Sequence, residues 1–329
     1  MKIGLISDAH LFHKCAITAK DYNFVLQKQF KDCDIIVDCG DLTDKSSLTA
    51  PQLEKLSKIY DNINKPVYIV AGNHDSLSST TVASIFNMKS NIKIITEPTK
   101  INNMLFVPYT DNIKELIKTL NKLDEFCNFA FSHLNITSNV YATIPFKNID
   151  KLFKYAKIWF NGHIHTMEEE STAFGSLYNI GSCSNLTFGD EHIPCFSVYD
   201  TDLNVLNTIE IKDSIIHKNY RLQDNTDLKS IYSDISFLAS KYKLCCKFYL
   251  QNNQNSLEIR KQIKSELESN FNILSISFDY MKDKSVEKKK EIKESKLNKV
   301  PLMQQLIQHF EEDTQISLSN NIKKELMLL

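Results

Sequence analysis

Histidines and carboxylates recur along the chain in five short polar motifs. The motifs are Ser7-Asp8-Ala9-His10, Gly40-Asp41, Gly72-Asn73-His74-Asp75, Ser132-His133 and Gly162-His163-Ile164-His165. Nitrogen and oxygen donors without a thiolate suit Mn²⁺, Fe²⁺ or Zn²⁺. A carboxylate can bridge two cations, and two cations roughly 3.5 to 4 Å apart can clamp the attacking and leaving oxygens of a phosphoryl displacement. The motifs therefore predict a binuclear metal site for phosphoryl chemistry.

Each motif has an ordinary explanation when it is taken alone. Asp8 with His10 fits a surface turn, and a lone His133 is more often a satisfied core or surface histidine than a ligand. Their joint occurrence favours a site, because six of the nine histidines lie in or beside the motifs. These six are His10, His13, His74, His133, His163 and His165.

Each motif directly follows a short apolar run of the kind that forms a β-strand. The runs are residues 3–6, 35–37, 67–70, 129–131 and 158–160. In α/β sheets, ligands bind at the carboxyl ends of the strands, so we expect the five ends to converge on one rim. In the D-x-H and H-x-H motifs, alternate residues at a strand end are expected to leave the strand on the same side. Each pair would then face one cavity.

The pattern of strands and helices indicates an α/β two-sheet sandwich flanked by helices, followed by a small α+β cap domain. Further strand candidates come with few helices between them, which favours a mixed two-sheet core. They are residues 92–95, 105–107, 177–180, 196–199 and 205–211. All seven glycines lie within the first 189 residues, so the composition changes near residue 200. Beyond it, the apolar spacing predicts an α-β-α-β order, with helices near 228–238 and 259–267 and strands near 244–250 and 274–278.

Composition and apolar spacing predict a charged tether and a helical tail in the last part of the chain. Residues 282–299 hold eight lysines and four acids, which is usual for a solvated face and less often indicates DNA contact. Residues 301–329 regain helical spacing, which fits either packing on their own core or docking into a partner's groove. We therefore predict domains at 1–212 and 213–281, a charged linker at 282–300 and a C-terminal helical tail at 301–329.

Composition sets further limits. The net charge of −1 gives no global sign of a nucleic-acid partner. No apolar run reaches the roughly 20 residues of a membrane span, so we expect no membrane partner and a cytoplasmic protein. The eight cysteines form no C-x-x-C pair and are expected to be reduced thiols. Arg221 and Arg260 are the only arginines, which excludes an arginine finger from the first 220 residues.

The five motifs, in this order, resemble the signature of the calcineurin-like metallophosphoesterases: D-x-H, G-D, G-N-H-[DE], H and G-H-x-H. Within that superfamily the sequence is most similar to the SbcD-type nucleases, relatives of the meiotic recombination nuclease that process DNA ends. This narrower match rests on residues 40–44, on residues 179–182 with 188–190, and on the layout of cap, tether and tail. It implies the metallophosphoesterase sandwich fold.

The resemblance also implies a function and partners. The expected activity is that of a Mn²⁺-dependent DNA nuclease in DNA repair and recombination, acting as a 3′ to 5′ double-strand exonuclease and a single-strand endonuclease. The expected assembly is a homodimer with an SbcC-like ABC/SMC-type ATPase bound through residues 301–329. Residues 53–63 and 82–86 are apolar enough for a dimer contact, although core packing explains them equally well.

Roles for individual residues follow from the same resemblance. It implies that one metal is held by Asp8, His10 and His165, the other by Asn73, His133 and His163, with Asp41 bridging them. The two cations are expected to be Mn²⁺, with Mg²⁺, Fe²⁺ or Zn²⁺ as alternatives. His74 would orient the phosphate and protonate the leaving oxygen, and Asp75 would support the loop.

Two other functions stay open at the level of sequence. A small-molecule phosphodiesterase or protein phosphatase would use the same metal site, although it has little need of the cap and tail. A noncatalytic scaffold would keep the metals only for folding, and the intact Asn73 and His74 argue against it.

Overall fold

The computed structural model describes residues 1–45, 47–75, 86, 89–123, 126–137, 144–223, 226–251 and 256–281. The predicted linker and helical tail, and residues 82–85 of the predicted dimer contact, lie outside the described residues. The strands are β1 Lys2–Ile6, β2 Ile35–Asp38, β3 Val67–Val70, β4 Ile92–Ile95, β5 Thr99–Ile101, β6 Met104–Val107, β7 Cys127–Ser132, β8 Ile136–Thr137, β9 Ile144–Pro145, β10 Ala156–Asn161, β11 Glu168–Ser171, β12 Ser176–Asn179, β13 Cys195–Asp200, β14 Val205–Glu210, β15 Ile215–Leu222, β16 Lys243–Leu250 and β17 Ile273–Tyr280. The α-helices are α1 Ala19–Phe24, α2 Ala50–Ile59, α3 Ile113–Lys122, α4 Leu228–Ala239 and α5 Ser256–Asn270, with a π-helical turn at Val25–Gln29 and a 3₁₀ helix at Phe146–Lys151.

Two six-stranded sheets form the first part of the chain. The first has the order β14-β13-β1-β2-β3-β4, and the second has the order β11-β12-β10-β7-β6-β5. Strands β1 to β4 run parallel, as do β6, β7, β10 and β12, whereas the outer strands β13, β14, β5 and β11 pair antiparallel. The predicted mixed two-sheet α/β fold is confirmed.

The two sheets pack face to face through a core of aliphatic and aromatic side chains. Leu5 and Val37 of the first sheet share this core with Phe106, Phe131 and Phe160 of the second. Helices α1 and α2 cover the outer face of the first sheet, and α3 covers the outer face of the second. Burial on both faces accounts for the continuous apolar runs of the central strands.

Helix α2 buries the apolar stripe that was a candidate dimer contact. It begins with a capping box between Thr49 and Gln52, and its inner face places Leu56 and Ile59 in the core beside the first sheet. Ile63 and Phe86 are buried in the same core. Core packing therefore accounts for the described apolar side chains of this stripe.

The cap is a three-stranded parallel sheet of order β15-β16-β17 with α4 and α5 on one face. Its order is β-α-β-α-β, so the predicted α-β-α-β order missed its first strand. Strand β15 lies where the composition changes, and its parallel partner β16 begins about 20 residues later, so no local turn signal marks the pairing. Among the described residues, no helix has both the length and the apolar character needed to cross a bilayer.

Candidate metal centre

The five motifs meet where the carboxyl ends of the two sheets lie side by side. Asp8, Asp41 and Asn73 follow β1, β2 and β3 of the first sheet, whereas His133 and His163 follow β7 and β10 of the second. The strand ends therefore converge as expected, but the sandwich divides them between two sheets, which the sequence did not predict. Packing of the sheets face to face brings the two sets together.

Backbone conformation at the motifs also differs from the expectation. Asp8, His10, Asp41 and His163 have φ values of 53°, 44°, 52° and 71°, in the left-handed region. The chain is therefore not extended there, and strand alternation does not bring the D-x-H pair together. Asp and His adopt this region more readily than most residues, and such conformations concentrate at functional sites.

One group of side chains consists of Asp8, His10 and His165. Asp8 Oδ1 lies 4.0 Å from His10 Nε2 and 3.6 Å from His165 Nε2. The other oxygen of Asp8 accepts hydrogen bonds from Ser7 Oγ at 2.5 Å and from the backbone N–H of His163 at 3.0 Å. This leaves Oδ1 directed at the two imidazoles, in the arrangement expected for ligands of one cation.

The second group consists of Asp41, His133 and His163, with Asn73 beside them. The ligand atoms of the first three lie within 4.8 Å of one another. His163 Nδ1 donates to Asn73 Oδ1 at 3.0 Å, and His133 Nδ1 donates to the Cys39 carbonyl at 2.7 Å. The hydrogen bond to Cys39 fixes the imidazole of His133 so that its Nε2 faces Asp41.

Asp41 lies between the two groups. Its Oδ2 is 3.4 Å from His133 Nε2 and 3.7 Å from His10 Nε2, while its Oδ1 accepts the backbone N–H of His74 at 2.8 Å. A carboxylate oxygen that faces an imidazole from each group is placed to be shared by two cations. The structure thus brings together all eight side chains that the sequence singled out as ligands or as the acid.

Asp75 ties the second and third motifs together. Its carboxylate accepts backbone N–H groups from Asp41 at 2.9 Å, Gly72 at 2.8 Å and Thr43 at 2.9 Å. Burial and the nearby charge of Asp41 raise the pKa of Asp75 to about 6, although the backbone donors oppose the shift. Asp75 makes loop contacts of the kind predicted for it.

The electrostatics of the centre follow from burial and close opposite charges. Burial raises the pKa of Asp41, but His133 and His10 outweigh it and the pKa falls to about 2. Burial lowers the pKa of His133, but Asp41 and Asp8 outweigh it and the pKa rises to about 9. His163 lacks such a carboxylate contact, so burial and the charge of His133 lower its pKa to about 4. The Asp41 carboxylate is therefore anionic at neutral pH.

Buried atoms without hydrogen-bond partners test whether cations fit here. Among the described residues, Asp8 Oδ1, His10 Nε2 and His133 Nε2 are buried and have no hydrogen-bond partner. Buried polar atoms normally have hydrogen-bond partners. A set of oxygen and nitrogen atoms that surround one space without partners is therefore evidence that a metal ion binds there. Imidazole nitrogen and carboxylate oxygen are suitable ligands for Mn²⁺, Fe²⁺ or Zn²⁺. The residues present fit a metal centre.

The family is decided by a match that covers the first half of the chain. The model of the calcineurin-like phosphoesterases matches residues 1–167. The chain belongs to the calcineurin-like phosphoesterase family. As a member, it is a metal-dependent phosphoester hydrolase of a family that uses a dinuclear centre, and its two His/Asp clusters are the candidate ligands. No curated protein matches the sequence.

Two solved structures resemble this phosphoesterase. A novel archaeal phosphodiesterase is 16% identical, with a TM-score of 0.41, over 64% of this chain and 100% of that chain. A "Putative 5'-Nucleotidase from Staphylococcus aureus in complex with alpha-ketoglutarate" is 11% identical, with a TM-score of 0.40, over 64% of this chain and 52% of that chain.

Three polar residues of the phosphoesterase site were not assigned a role from the sequence. Asp44 Oδ1 lies 3.7 Å from His10 Nδ1, and Asp190 Oδ1 accepts from His165 Nδ1 at 3.1 Å. His192 lies next to His165, with the ring centroids 5.6 Å apart. Asp44 stands three residues after Asp41, and this closeness to the second motif could have marked it as a candidate site residue. No local pattern marks the partnership of Asp190 with a histidine 25 residues earlier.

Proposed function

We propose that this phosphoesterase is a Mn²⁺-dependent DNA nuclease of the SbcD type. The observation that supports the proposal best is the attachment of the cap sheet to the border of the metal centre. Asn219 of β15 donates to the carbonyl of Phe188 at 2.5 Å, and the neighbouring Leu186 and Thr187 line the same cleft as His74. The cap is therefore fastened to the loop that borders the cleft, where it could contact the part of a polymer that extends beyond the ligands.

On the cap sheet face opposite the helices, His217 is buried against Asn185 and Phe188, and the part that suits a polyanion is the far end at the exposed Arg221. Alternate residues of β15 put His217, Asn219 and Arg221 on the face opposite the helices, and the register places Lys247 and Tyr249 of β16 beside Asn219 and Arg221. Lys247 is paired with Asp279 at 3.4 Å, which leaves the exposed Arg221 as the stronger candidate for a phosphate contact. Lys247 Nζ lies over one face of the Tyr249 ring, 4.9 Å from its centroid, so a base could stack only on the other face.

The mechanism uses the groups described above. Asp8, His10 and His165 would hold one cation, Asn73, His133 and His163 the other, and Asp41 would contact both. Divalent cations, when bound, supply Lewis-acid stabilisation of the phosphoryl oxygens and lower the pKa of water.

His74 completes the mechanism as the acid. Its backbone N–H donates to Asp41 Oδ1, which holds the exposed imidazole at the mouth of the centre, 5.1 Å from the ring of His10 between centroids. From there His74 protonates the departing oxygen.

The test compares a polymer with a small substrate. End-labelled linear duplex DNA, single-stranded DNA and bis(4-nitrophenyl) phosphate are each incubated with the full chain and Mn²⁺ or Mg²⁺. We expect cleavage of DNA, and we expect Arg221→Ala to slow DNA cleavage without changing hydrolysis of the small diester. Lys229→Ala, which removes an exposed cation from α4 on the opposite face, is the matched control. Hydrolysis of the small diester without DNA cleavage would favour a small-molecule phosphodiesterase instead.

The partners are proposed from the sequence, since residues 301–329 lie outside the part of the chain that the structure describes. We expect this segment to bind an SbcC-like ABC/SMC-type ATPase, and we expect the nuclease to be a homodimer. Deletion of residues 301–329 should abolish ATPase binding while preserving metal-dependent cleavage of single strands. ATPase binding by the truncated chain would remove this role, and a monomeric mass in light scattering would remove the homodimer.

A further inference from the structure

The turn formed by residues 185–190, here called the bracket turn, lies between the metal centre and the cap. Asp190 Oδ2 accepts the backbone N–H groups of Leu186 and Thr187, both at 2.9 Å. Asn185 Nδ2 donates to the backbone carbonyls of Asp190 at 2.8 Å and His192 at 2.9 Å. These four bonds close the turn on itself, so its two ends are held in a fixed relation.

The inner end of the bracket turn holds a candidate metal ligand. Asp190 Oδ1 accepts from His165 Nδ1 at 3.1 Å, while His165 Nε2 faces Asp8 Oδ1 at 3.6 Å. A carboxylate on the remote nitrogen of a ligand histidine fixes its tautomer and the orientation of its ring. Asp190 is therefore placed to aim Nε2 of His165 at the metal.

The outer end of the bracket turn is fastened to the first strand of the cap. Asn185 is buried, and its Oδ1 accepts both the backbone N–H of His217 at 3.1 Å and its ring Nδ1–H at 2.8 Å. Asn219, two residues further along β15, donates to the Phe188 carbonyl, and the Phe188 ring lies edge-on to His217 with 4.8 Å between centroids. The cap therefore contacts the bracket turn at two places, the Asn185 side chain and the Phe188 carbonyl.

A third metal site is the rival interpretation of this region. The ligand atoms of His165, Asp190 and His192 lie within 4.8 Å of one another. However, both oxygens of Asp190 already accept N–H groups, including the ring N–H of His165, so of this group only Nδ1 of His192 is buried without a hydrogen-bond partner. His165 would also have to bind a cation through each ring nitrogen and lose both ring protons. The hydrogen bonds favour positioning over a third cation.

We infer that the bracket turn is the connection through which the cap sheet sets the orientation of His165, with Asp190 and Asn185 as positioning residues. The inference rests on the metal centre and not on which phosphoester is the substrate. It therefore stands or falls separately from the proposed DNA nuclease activity. The expected consequence is selective. Loosening the bracket turn weakens binding of the cation held by His165 and leaves binding of the cation held by His133 unchanged.

The experiment is a calorimetric titration of the metal-free full chain with Mn²⁺ alone. Asp190→Asn keeps an acceptor for the turn but presents an amide to His165, and Asn185→Ala cuts the link to the cap without touching His165. We expect the unaltered chain to bind two cations. We expect both variants to weaken one of the two sites, by about 10- to 100-fold for Asp190→Asn, and to leave the other unchanged. In the double variant, the affinity of that site should fall by less than the product of the two single fold-changes, because both substitutions act on the same connection.

Tyr242→Phe is the matched control. It removes another hydrogen bond of the cap region, from Tyr242 Oη to Glu210 at 2.7 Å, outside the bracket turn. We expect it to leave both affinities unchanged. If Asn185→Ala fails to fold by circular dichroism, Asn219→Ala takes its place, with a smaller loss expected at the same site. Equal weakening of both sites, unchanged affinity in Asp190→Asn, or a third equivalent of Mn²⁺ in the unaltered chain would overturn the inference.

Discussion

His133 and His165 stand on opposite sides of the metal centre and are held in different ways. His133 is fully buried, and its remote nitrogen donates to the Cys39 carbonyl in the loop that leaves β2. His165 is 25% exposed, and its remote nitrogen donates to Asp190 in a surface turn. A backbone carbonyl that follows β2 therefore orients the histidine in one half of the centre, whereas the Asp190 side chain of the bracket turn orients the histidine in the other half. The first half should respond to changes in the core and the second to changes at the cap.

The largest effect is expected where the two halves meet. Asp41→Ala removes the oxygen that faces both His133 and His10, so we expect it to lose bound metal from both halves. The rate should fall by more than about 10³-fold, because the metal contribution to the transition state is several kcal/mol. Elemental analysis of the dialysed protein and hydrolysis of a small phosphodiester check this. Asp32→Ala, at an exposed carboxylate, is the control. Two tightly bound cations in the Asp41 variant would show that the halves are independent.

His74→Ala separates chemistry from metal binding. His74 touches Asp41 through its backbone N–H, which alanine retains. We therefore expect two bound cations and a rate lower by roughly 10² to 10⁴, the range for loss of a general acid. The same elemental analysis and kinetic assay apply. Loss of metal in this variant would contradict the assigned role and make His74 a ligand.

Two glycine substitutions compare the half of the centre that holds His133 with the bracket turn. Gly40 has a φ of +105°, and an added Cβ would overlap the imidazole of His133. We expect Gly40→Ala to lower the free energy of unfolding by about 1 to 3 kcal/mol and to weaken the cation at His133. At Gly189, in the bracket turn, the nearest atom would be 3.5 Å from the added Cβ. Gly189→Ala should change stability by less than about 0.5 kcal/mol. Urea unfolding of both variants tests the contrast, and equal losses would contradict it.

The last effect is a pH dependence of stability that arises at Asp38, beneath the half of the centre that holds His133. Asp38 is buried at the end of β2, where it accepts the Gly40 N–H at 3.0 Å and contacts the Tyr22 hydroxyl. Burial raises the pKa of Asp38 to about 8, although these two hydrogen bonds oppose the shift. An unfolded aspartate loses its proton near pH 4, so between about pH 4 and 8 the folded chain holds one more proton. The contribution of Asp38 to stability is complete below that window and is lost as the pH rises through it, by at most about 1.4 kcal/mol per pH unit.

Asp38→Asn isolates this contribution. An amide offers one acceptor and one donor, as the protonated acid does, so the fold should be retained. We expect the fall in stability of the metal-free chain between pH 5 and 8 to become shallower in this variant. Urea unfolding at four pH values measures the slope. An unchanged slope would mean that Asp38 is ionised in the folded chain.

The sequence predicted much of the fold because its strongest signals are local. The apolar runs before Asp8, Asp41 and His133 form strands in the structure, and the mixed two-sheet core is confirmed. The sequence did not predict β15, whose pairing with β16 depends on residues separated by an intervening helix. It also did not predict that two sheets share the motifs, since that division follows from how the sheets pack.

The candidate ligands were recognised by their types and order, but their geometry was not. Asp8 and His10 were expected to share a side because of strand alternation, yet left-handed backbone at both residues produces the arrangement. Such conformations are decided by hydrogen bonds to distant segments, such as the bond from the His10 N–H to the Asp41 carbonyl at 2.9 Å. The partnership of His165 with Asp190 has the same long-range origin.

The carboxylate of Asp75 has a consequence for how the enzyme matures. Because it gathers three backbone amides from two loops, hydrogen bonds of the chain itself hold these loops in place. We therefore expect activation of newly made protein to require ion uptake alone, without refolding of the chain. An inactive preparation purified with chelator should regain activity within the mixing time when cations are restored.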